Sequence, residues 1–247
     1  MRLGKGLIFG ALLCAVSLIV GCGGGGGGSV TFFPDPKIHY VNGSPDSTAL
    51  DFMIDDTTEA SALPFLGLAP TVSVSPGDHD VTVEETGTTF QLDSITNTFN
   101  SNTDTIICTI GLENYGQAGA NPEYLKRIKQ VLFTADLKAP NGAKSNLIIV
   151  QGFNSAPGIE TPNVDFTPPG TNPLNPVTNI SYGQNKTATI DSGTHEFVVV
   201  RTGTTPPTPY IDSTFTFVSG KTYLALLTGE MGGTGNMAPQ VKYIALN

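Results

Sequence analysis

The chain has no tryptophan, three cysteines among 247 residues, and little basic charge, with 12 Lys and Arg against 21 Asp and Glu. Each shortage excludes something. A formal net charge of −9 argues against nucleic-acid binding, which needs a basic surface to meet phosphates. Cysteine is too sparse for a disulfide framework, because Cys14 lies in the apolar N-terminal segment, Cys22 has a separate role below, and Cys108 is left alone. A protein exported without such staples must rely on packed cores, which takes domains of about 100 residues rather than about 40. His39, His79 and His195 are the only histidines, and there is no Gly-x-Ser-x-Gly elbow, so acyl-transfer chemistry has few places to start. Helix formers are scarce while Gly, Pro, Thr, Ser and Asn are plentiful. That balance predicts β-structure.

The N-terminus reads as an address. Arg2 and Lys5 precede an uncharged, mostly apolar segment from Leu7 to Val20, of signal-peptide length and short of the roughly 20 residues a spanning helix needs. Ile19-Val20-Gly21-Cys22 resembles the bacterial lipobox, which implies that residues 1–21 are removed and that Cys22 becomes the acylated first residue. Gly23 stands where the usual inner-membrane retention signal has Asp, so the resemblance implies an outer-membrane or cell-surface destination. Two or three acyl chains hold a protein stably where one does so marginally. Residues 22–36, with Gly23 to Gly28 in a row, would be a flexible tether. Loss of Arg2 and Lys5 takes the formal charge to −11.

An internal repeat sets the architecture. Ser75 to Thr88, SPGDHDVTVEETGT, is echoed by Asp191 to Thr204, DSGTHEFVVVRTGT, with Gly77, His79, Val81, Val83 and Gly87 matching Gly193, His195, Phe197, Val199 and Gly203. Upstream, Asn42, Pro45, Asp51 and Phe52 match Asn154, Pro157, Asp165 and Phe166; downstream, Leu92-Asp93-Ser94 matches Ile211-Asp212-Ser213. Two tandem domains result, 37–140 and 143–247, joined by Ala139 to Lys144, a short Pro and Asn-Gly linker that predicts domains set end to end. The second copy reads as seven strands near Leu147–Gly152, Val164–Phe166, Thr187–Ile190, Glu196–Arg201, Tyr210–Val218, Lys221–Leu227 and Val241–Leu246. Strands at such spacing predict an all-β protein of two sandwiches. Val81, Val83, Phe197 and Val199 should face cores, with Asp80, Thr82 and Glu84 facing water. Phe215 and Phe217 align with Thr96 and Thr98, against the parity of Ile95 and Phe99, which implies a bulge or register change in one copy. A helix is predicted from Asn121 to Gln130, with Asn as N-cap and Pro122 at the first helical position.

The opening IHYVNGSPDSTALDFMID, with the later Gly-led turn, alternating strand and Gly220-Lys221-x-Tyr223, resembles the bacterial family known as domain of unknown function 4397. Ser101 to Ile106, SNTDTI, departs from that pattern in the first copy. The resemblance covers nearly the whole mature chain, twice, and implies immunoglobulin-like or transthyretin-like sandwiches with no activity attached.

Chemistry-bearing groups read mostly as structure. His79 and His195 follow repeat-equivalent turns and should bond backbone. Asp78, Asp80, Asp55 and Asp56, with Asp46 and Asp51, have calcium's ligand type but no EF-hand spacing, and read as turn carboxylates. Gly233 to Ala238, GTGNMA, fits a dinucleotide fingerprint by letter but lacks the strand and helix around it. Cys108, within Ile106 to Ile110, reads as a buried inert thiol. No metal or cofactor is expected. Tyr182 and Tyr210, beside long Pro-rich loops, are candidate binding-loop residues able to stack on sugars. The function expected is a lipid-anchored, non-enzymatic envelope module for adhesion, structure or ligand binding, with an envelope polysaccharide or protein as candidate partner. The alternative is an envelope enzyme or accessory subunit acting on glycans.

Overall fold

The structure is a computed structural model that describes residues 33–113, 127–154, 161–168, 177–203 and 209–247. The first half contains β1 (Lys37–Asn42), β2 (Leu50–Ile54), β3 (Thr57–Leu63), β4 (Val72–Ser73), β5 (Gly77–Glu85), β6 (Gln91–Phe99), β7 (Asp104–Ile110) and β8 (Lys129–Ala135). The second contains β9 (Lys144–Gln151), β10 (Val164–Thr167), β11 (Val177–Ile180), β12 (Asn185–Asp191), β13 (Gly193–Arg201), β14 (Pro209–Phe217), β15 (Thr222–Thr228) and β16 (Gln240–Ala245). Four sheets form, in the orders β4-β1-β7-β8, β3-β2-β5-β6, β12-β9-β15-β16 and β11-β10-β13-β14. Raising every strand number of the first half by eight reproduces the second. The chain is two β-sandwiches with one topology, each with a single parallel pair, β1 with β7 and β9 with β15.

Hydrophobic patterning decides which sheets lie inside. In β5 and β13 burial alternates, with Val81, Val83, Phe197 and Val199 buried and Asp80 and Glu196 exposed, as expected of sheets with one wet face. β7 and β15 are apolar on consecutive residues, and all seven residues of β15 are buried. Such strands need cover on both faces, and they have it. One side of β1 and β7 packs Ile38, Tyr40 and Ile107 against Phe52, Val81, Val83 and Phe99. The other side packs Val41, Ile106, Cys108 and Ile110 against Ile148, Val150, Leu224 and Leu226 of the second half. Leu147, Ile149 and Tyr223 then face Phe166, Phe197 and Phe217.

The halves are therefore not end to end. Residues 33–247 make one compact unit, four sheets deep, in which the two inner sheets press face to face. The contact is isologous, the same patch used twice. A side chain on Gly43, after β1, would strike Leu226 of β15 at 2.6 Å, and one on Gly152, after β9, would strike Ile110 of β7 at 2.7 Å. The Thr228 hydroxyl donates to the Gly43 carbonyl at 2.7 Å across the same seam. β1 lies over β15 and β7 over β9, so the loops after all four strands gather at one end.

The ladders correct several equivalences. Gly77 pairs with Phe99 and Gly193 with Phe217, so the two phenylalanines correspond and both are buried. Both copies carry the bulge at the same place, after Val83 and Val199. The apparent parity conflict came from matching Leu92 to Ile211, when the second hairpin is two residues longer and Asp93 is the counterpart of Ile211. Similarly Asn42 corresponds to Gln151, not Asn154. Asn42 Oδ1 accepts the Ser44 N–H at 3.1 Å, and Gln151 Oε1 accepts the Phe153 N–H at 3.0 Å. Asn102 (φ 58°) occupies the left-handed place of Gly220 (φ 78°), which asparagine tolerates better than other side chains, so SNTDTI keeps the turn. A further strand lies at Val177–Ile180, short and directly after a proline-rich stretch. Of the helix expected from Asn121, residues 121–126 lie outside the described residues, and Lys129 and Gln130 belong to β8 instead.

Candidate functional site

The most chemically suggestive geometry lies where β5 begins. Asp55 and Asp56 turn the chain from β2 to β3 with φ of 49° and 61°, the left-handed pair that tight hairpins require. That turn brings the Asp55 carboxylate to 2.6 Å from Nδ1 of His79, while the Ser75 hydroxyl stands 3.4 Å from Nε2. Serine on Nε2 and aspartate on Nδ1 is the atom order of an acyl-transfer triad. A nearer group removes that reading. Nε2 lies 2.8 Å from the Ser75 carbonyl oxygen, which can only accept, as can the carboxylate on Nδ1. An imidazolium, donating from both ring nitrogens, satisfies both acceptors, and in that form the ring has no lone pair to take a serine proton. Asp55 completes a clasp by accepting the Asp80 N–H at 3.0 Å.

The electrostatics agree with the geometry. The bond to Asp55 raises His79 above its ordinary 6.5, and the bond from His79 holds Asp55 below its ordinary 3.8. A raised imidazole stabilises the fold fully below 6.5 and loses that contribution as pH climbs through the raised value. A depressed carboxylate contributes fully above 3.8 and loses its share as pH falls through the lowered value. The clasp is thus complete between those ordinary values. In an Asp55→Asn protein the His79 titration midpoint, followed by NMR, is expected to fall, and the deficit in melting temperature against the parent should shrink as pH rises above 7. A midpoint that does not move would remove the ion pair. His195 keeps the backbone half of the arrangement, Nε2 donating to the Asp191 carbonyl at 2.8 Å, but the ladders make Thr167 the counterpart of Met53, so the sequence has Pro169 where the first half has Asp55.

Other candidate residues also serve the sheets. His39 is buried, with Nε2 3.1 Å from Asp104 Oδ1 and Nδ1 3.3 Å from the Thr71 hydroxyl. Asp51 accepts the Ala62 N–H and the Thr86 hydroxyl, each at 2.7 Å. Asp80 and Asp78 accept the hydroxyls of Thr96 and Thr98 across the β5–β6 ladder. Asp46 accepts the Glu113 N–H at 2.8 Å, and burial, with Glu85 and Asp46 nearby, pushes the Glu113 carboxyl up. Among the described residues no three His, Cys, Asp or Glu converge to hold a metal. Burial pushes the Cys108 thiol up to about 12. The GTGNMA segment contains a single 3-10 turn, Gly235–Met237.

Tyr182 and Tyr210 both lie at the end where the loops gather, and both rings have partners within the chain. Tyr182 packs against the shared middle core with Lys129 Nζ 4.4 Å over its ring. Burial raises the tyrosine and lowers the lysine. Tyr210 tilts against buried Phe153 at 5.5 Å. Cys22 lies outside the described residues. The sequence singled out Asp55 and His79 separately but not as a pair, because the turn that joins them depends on two left-handed aspartates.

Comparison with known proteins adds the following. The profile of a family described as domain of unknown function DUF4397 matches residues 36–161, about half of the chain. No curated protein matches it. Among solved structures, the Bacillus anthracis TIE protein aligns at 10% identity and a TM-score of 0.26 over 81% of this chain and 34% of that one, so the chain spans about a third of that protein's length. A DUF3823 family protein from Bacteroides ovatus aligns at 13% identity and 0.21, covering 75% and 97%. A family CBM26 module from Eubacterium rectale Amy13K, solved with maltoheptaose, aligns at 11% and 0.22, covering 86% and 97%. Scores this low carry no argument about function.

Proposed function

The chain belongs to the DUF4397 family, and from that premise we propose that it is a lipid-anchored envelope protein. In this reading Cys22 holds it at the outer membrane or cell surface, its second half is a further copy of the same domain, and it works by binding rather than catalysis. The observation that carries the reading is the place where the chain enters the folded unit. The Pro34 carbonyl accepts the Asn102 N–H at 2.7 Å and the Pro36 carbonyl the Val74 N–H at 3.2 Å, beside the β6–β7 turn. The linker and the C-terminus lie at this same end, where Asn247 donates to the Leu137 carbonyl at 2.7 Å. A tether from Cys22 would join the folded unit at this end. The opposite end of both halves then points outward. The two acceptors on the His79 ring favour the imidazolium, a form that cannot act as a base, and this supports the non-catalytic part at the arrangement that most resembles a nucleophile and its base among the described residues.

Fatty-acid labelling tests the anchor. The parent protein is expected to take up label and to fractionate with membranes, while Cys22→Ala gives an unlabelled precursor or soluble product. Undiminished labelling of Cys22→Ala would sink the proposal.

A further inference from the structure

A cleft of about 460 Å³ opens on the side where β8 of the first half lies beside β9 and β12 of the second. The pseudo-twofold relation says what should fill it. Phe133 pairs with Ile106 as Ile244 pairs with Leu224, so Phe133 and Ile244 are counterparts, and one step further along so are Ala135 and Leu246. Likewise His39 pairs with Ile106 and Ile148 with Leu224, making Ile148 the counterpart of His39. At the mirrored junction Ile244 and Leu246 are buried, 9% and 7% exposed, and His39 is bonded to Asp104 and Thr71. Here the leucine is cut back to Ala135, and Phe133 and Ala135 are left partly exposed. One of two equivalent seams is closed and the other is open because of a few side chains.

The lining has a definite chemistry. Phe133, Ala135 and Ile148 offer apolar carbon, while Asn146, Thr187 and Thr189 offer neutral donors and acceptors, with the Asp136 carboxylate at the rim. Asn146 is fixed, its amide donating to the Lys138 carbonyl at 3.3 Å and accepting from the Thr189 hydroxyl at 3.2 Å. Among the described residues no Lys or Arg lines the cleft, so phosphate or carboxylate ligands would find no counter-charge in that lining. An aromatic wall with neutral polar groups suits a pyranose, which presents C–H faces and hydroxyl edges, and the volume lies within the range of about 300–1,000 Å³ usual for small-ligand sites. We infer that this cleft is a subsite for neutral saccharide, an inference that rests on the reading of the protein as a binding module.

Its test titrates the soluble unit, residues 29–247, with β-1,4-glucan, α-1,4-glucan, chitin and mannan tetrasaccharides, read by calorimetry and by NMR shifts. At least one is expected to bind. Ala135→Leu, which copies Leu246 into the cleft, should weaken it by about tenfold or more without lowering the melting temperature, because carbon then fills the space of a ring face. Phe133→Ile, copying Ile244, should weaken it as well. Binding by none of the four, or affinity unchanged in both variants, would overturn the inference, and either result would leave the labelling of Cys22 unaffected.

Discussion

Leu226→Asp should abolish cooperative folding at ordinary temperatures. Leu226 has no exposed surface and sits in the middle core between the halves, against Gly43 and among Val41, Cys108, Ile110 and Val150. A carboxylate there would have neither water nor a cation. Leaving a buried charge unpaired costs upward of about 4 kcal/mol, a large part of the roughly 5–15 kcal/mol that a native protein has to lose. Leu226→Ala removes the same contacts without adding charge and should cost about 2–5 kcal/mol. Circular dichroism melts of the two variants would separate the effects. A Leu226→Asp protein that melts within a few degrees of the parent would mean that the inner sheets do not press together.

The second large effect comes from parting the halves. Residues 143–247 made alone would leave Ile148, Val150, Leu224, Leu226, Ile244 and Leu246 facing water, all of them at most 9% exposed in the intact chain. A contiguous apolar face of that kind is not tolerated on a soluble monomer. Since the patch is self-complementary in shape, the fragment should sediment as a dimer or larger species, and mixing it with residues 33–140 should yield a one-to-one complex. A stable monomer of residues 143–247 would contradict the shared core. Binding assays on this protein accordingly need both halves together.

Much of the fold was legible because alternating strands announce one-sided burial. GDHDVTVEE and GTHEFVVVR carry the period of two, and the repeat between them predicted the doubled topology. What misled was the short linker Ala139 to Lys144, from which domains set end to end were expected, while the runs TIICTI and TYLALLT pointed elsewhere. Continuous apolar strands call for cover on both faces, and taken with a short linker they point to stacked halves, but only if the second partner of each strand is asked for. Alignment by letters also failed where chemistry was conserved in a different residue. Asn42 and Gln151 bond the backbone two residues on with side chains of different length, and Asn102 takes a glycine's conformation. The backbone role of His79 and His195 was legible from the turn. The clasp to Asp55 was not, since it depends on the geometry of a hairpin tip 24 residues away. The open seam was out of reach of sequence reasoning, because nothing marks Ala135 as small until Leu246 is seen in the equivalent place.

The pseudo-twofold seam has one more consequence. In a homodimer any substitution at an isologous contact appears twice, so a pocket cannot be opened on one side without opening it on the other. Here the two halves are written separately in one chain, and they differ at matching places. Gly43 and Gly152 keep matching roles at the seam, whereas Ala135 stands where the other half has Leu246, Ile148 where the other half has His39, and, in the sequence, Pro169 where the other half has the aspartate that clasps His79. Two halves of one topology joined in a single chain supply a scaffold whose centre stays symmetric for packing while its flanks differ, each flank free to carry a surface that the other does not need.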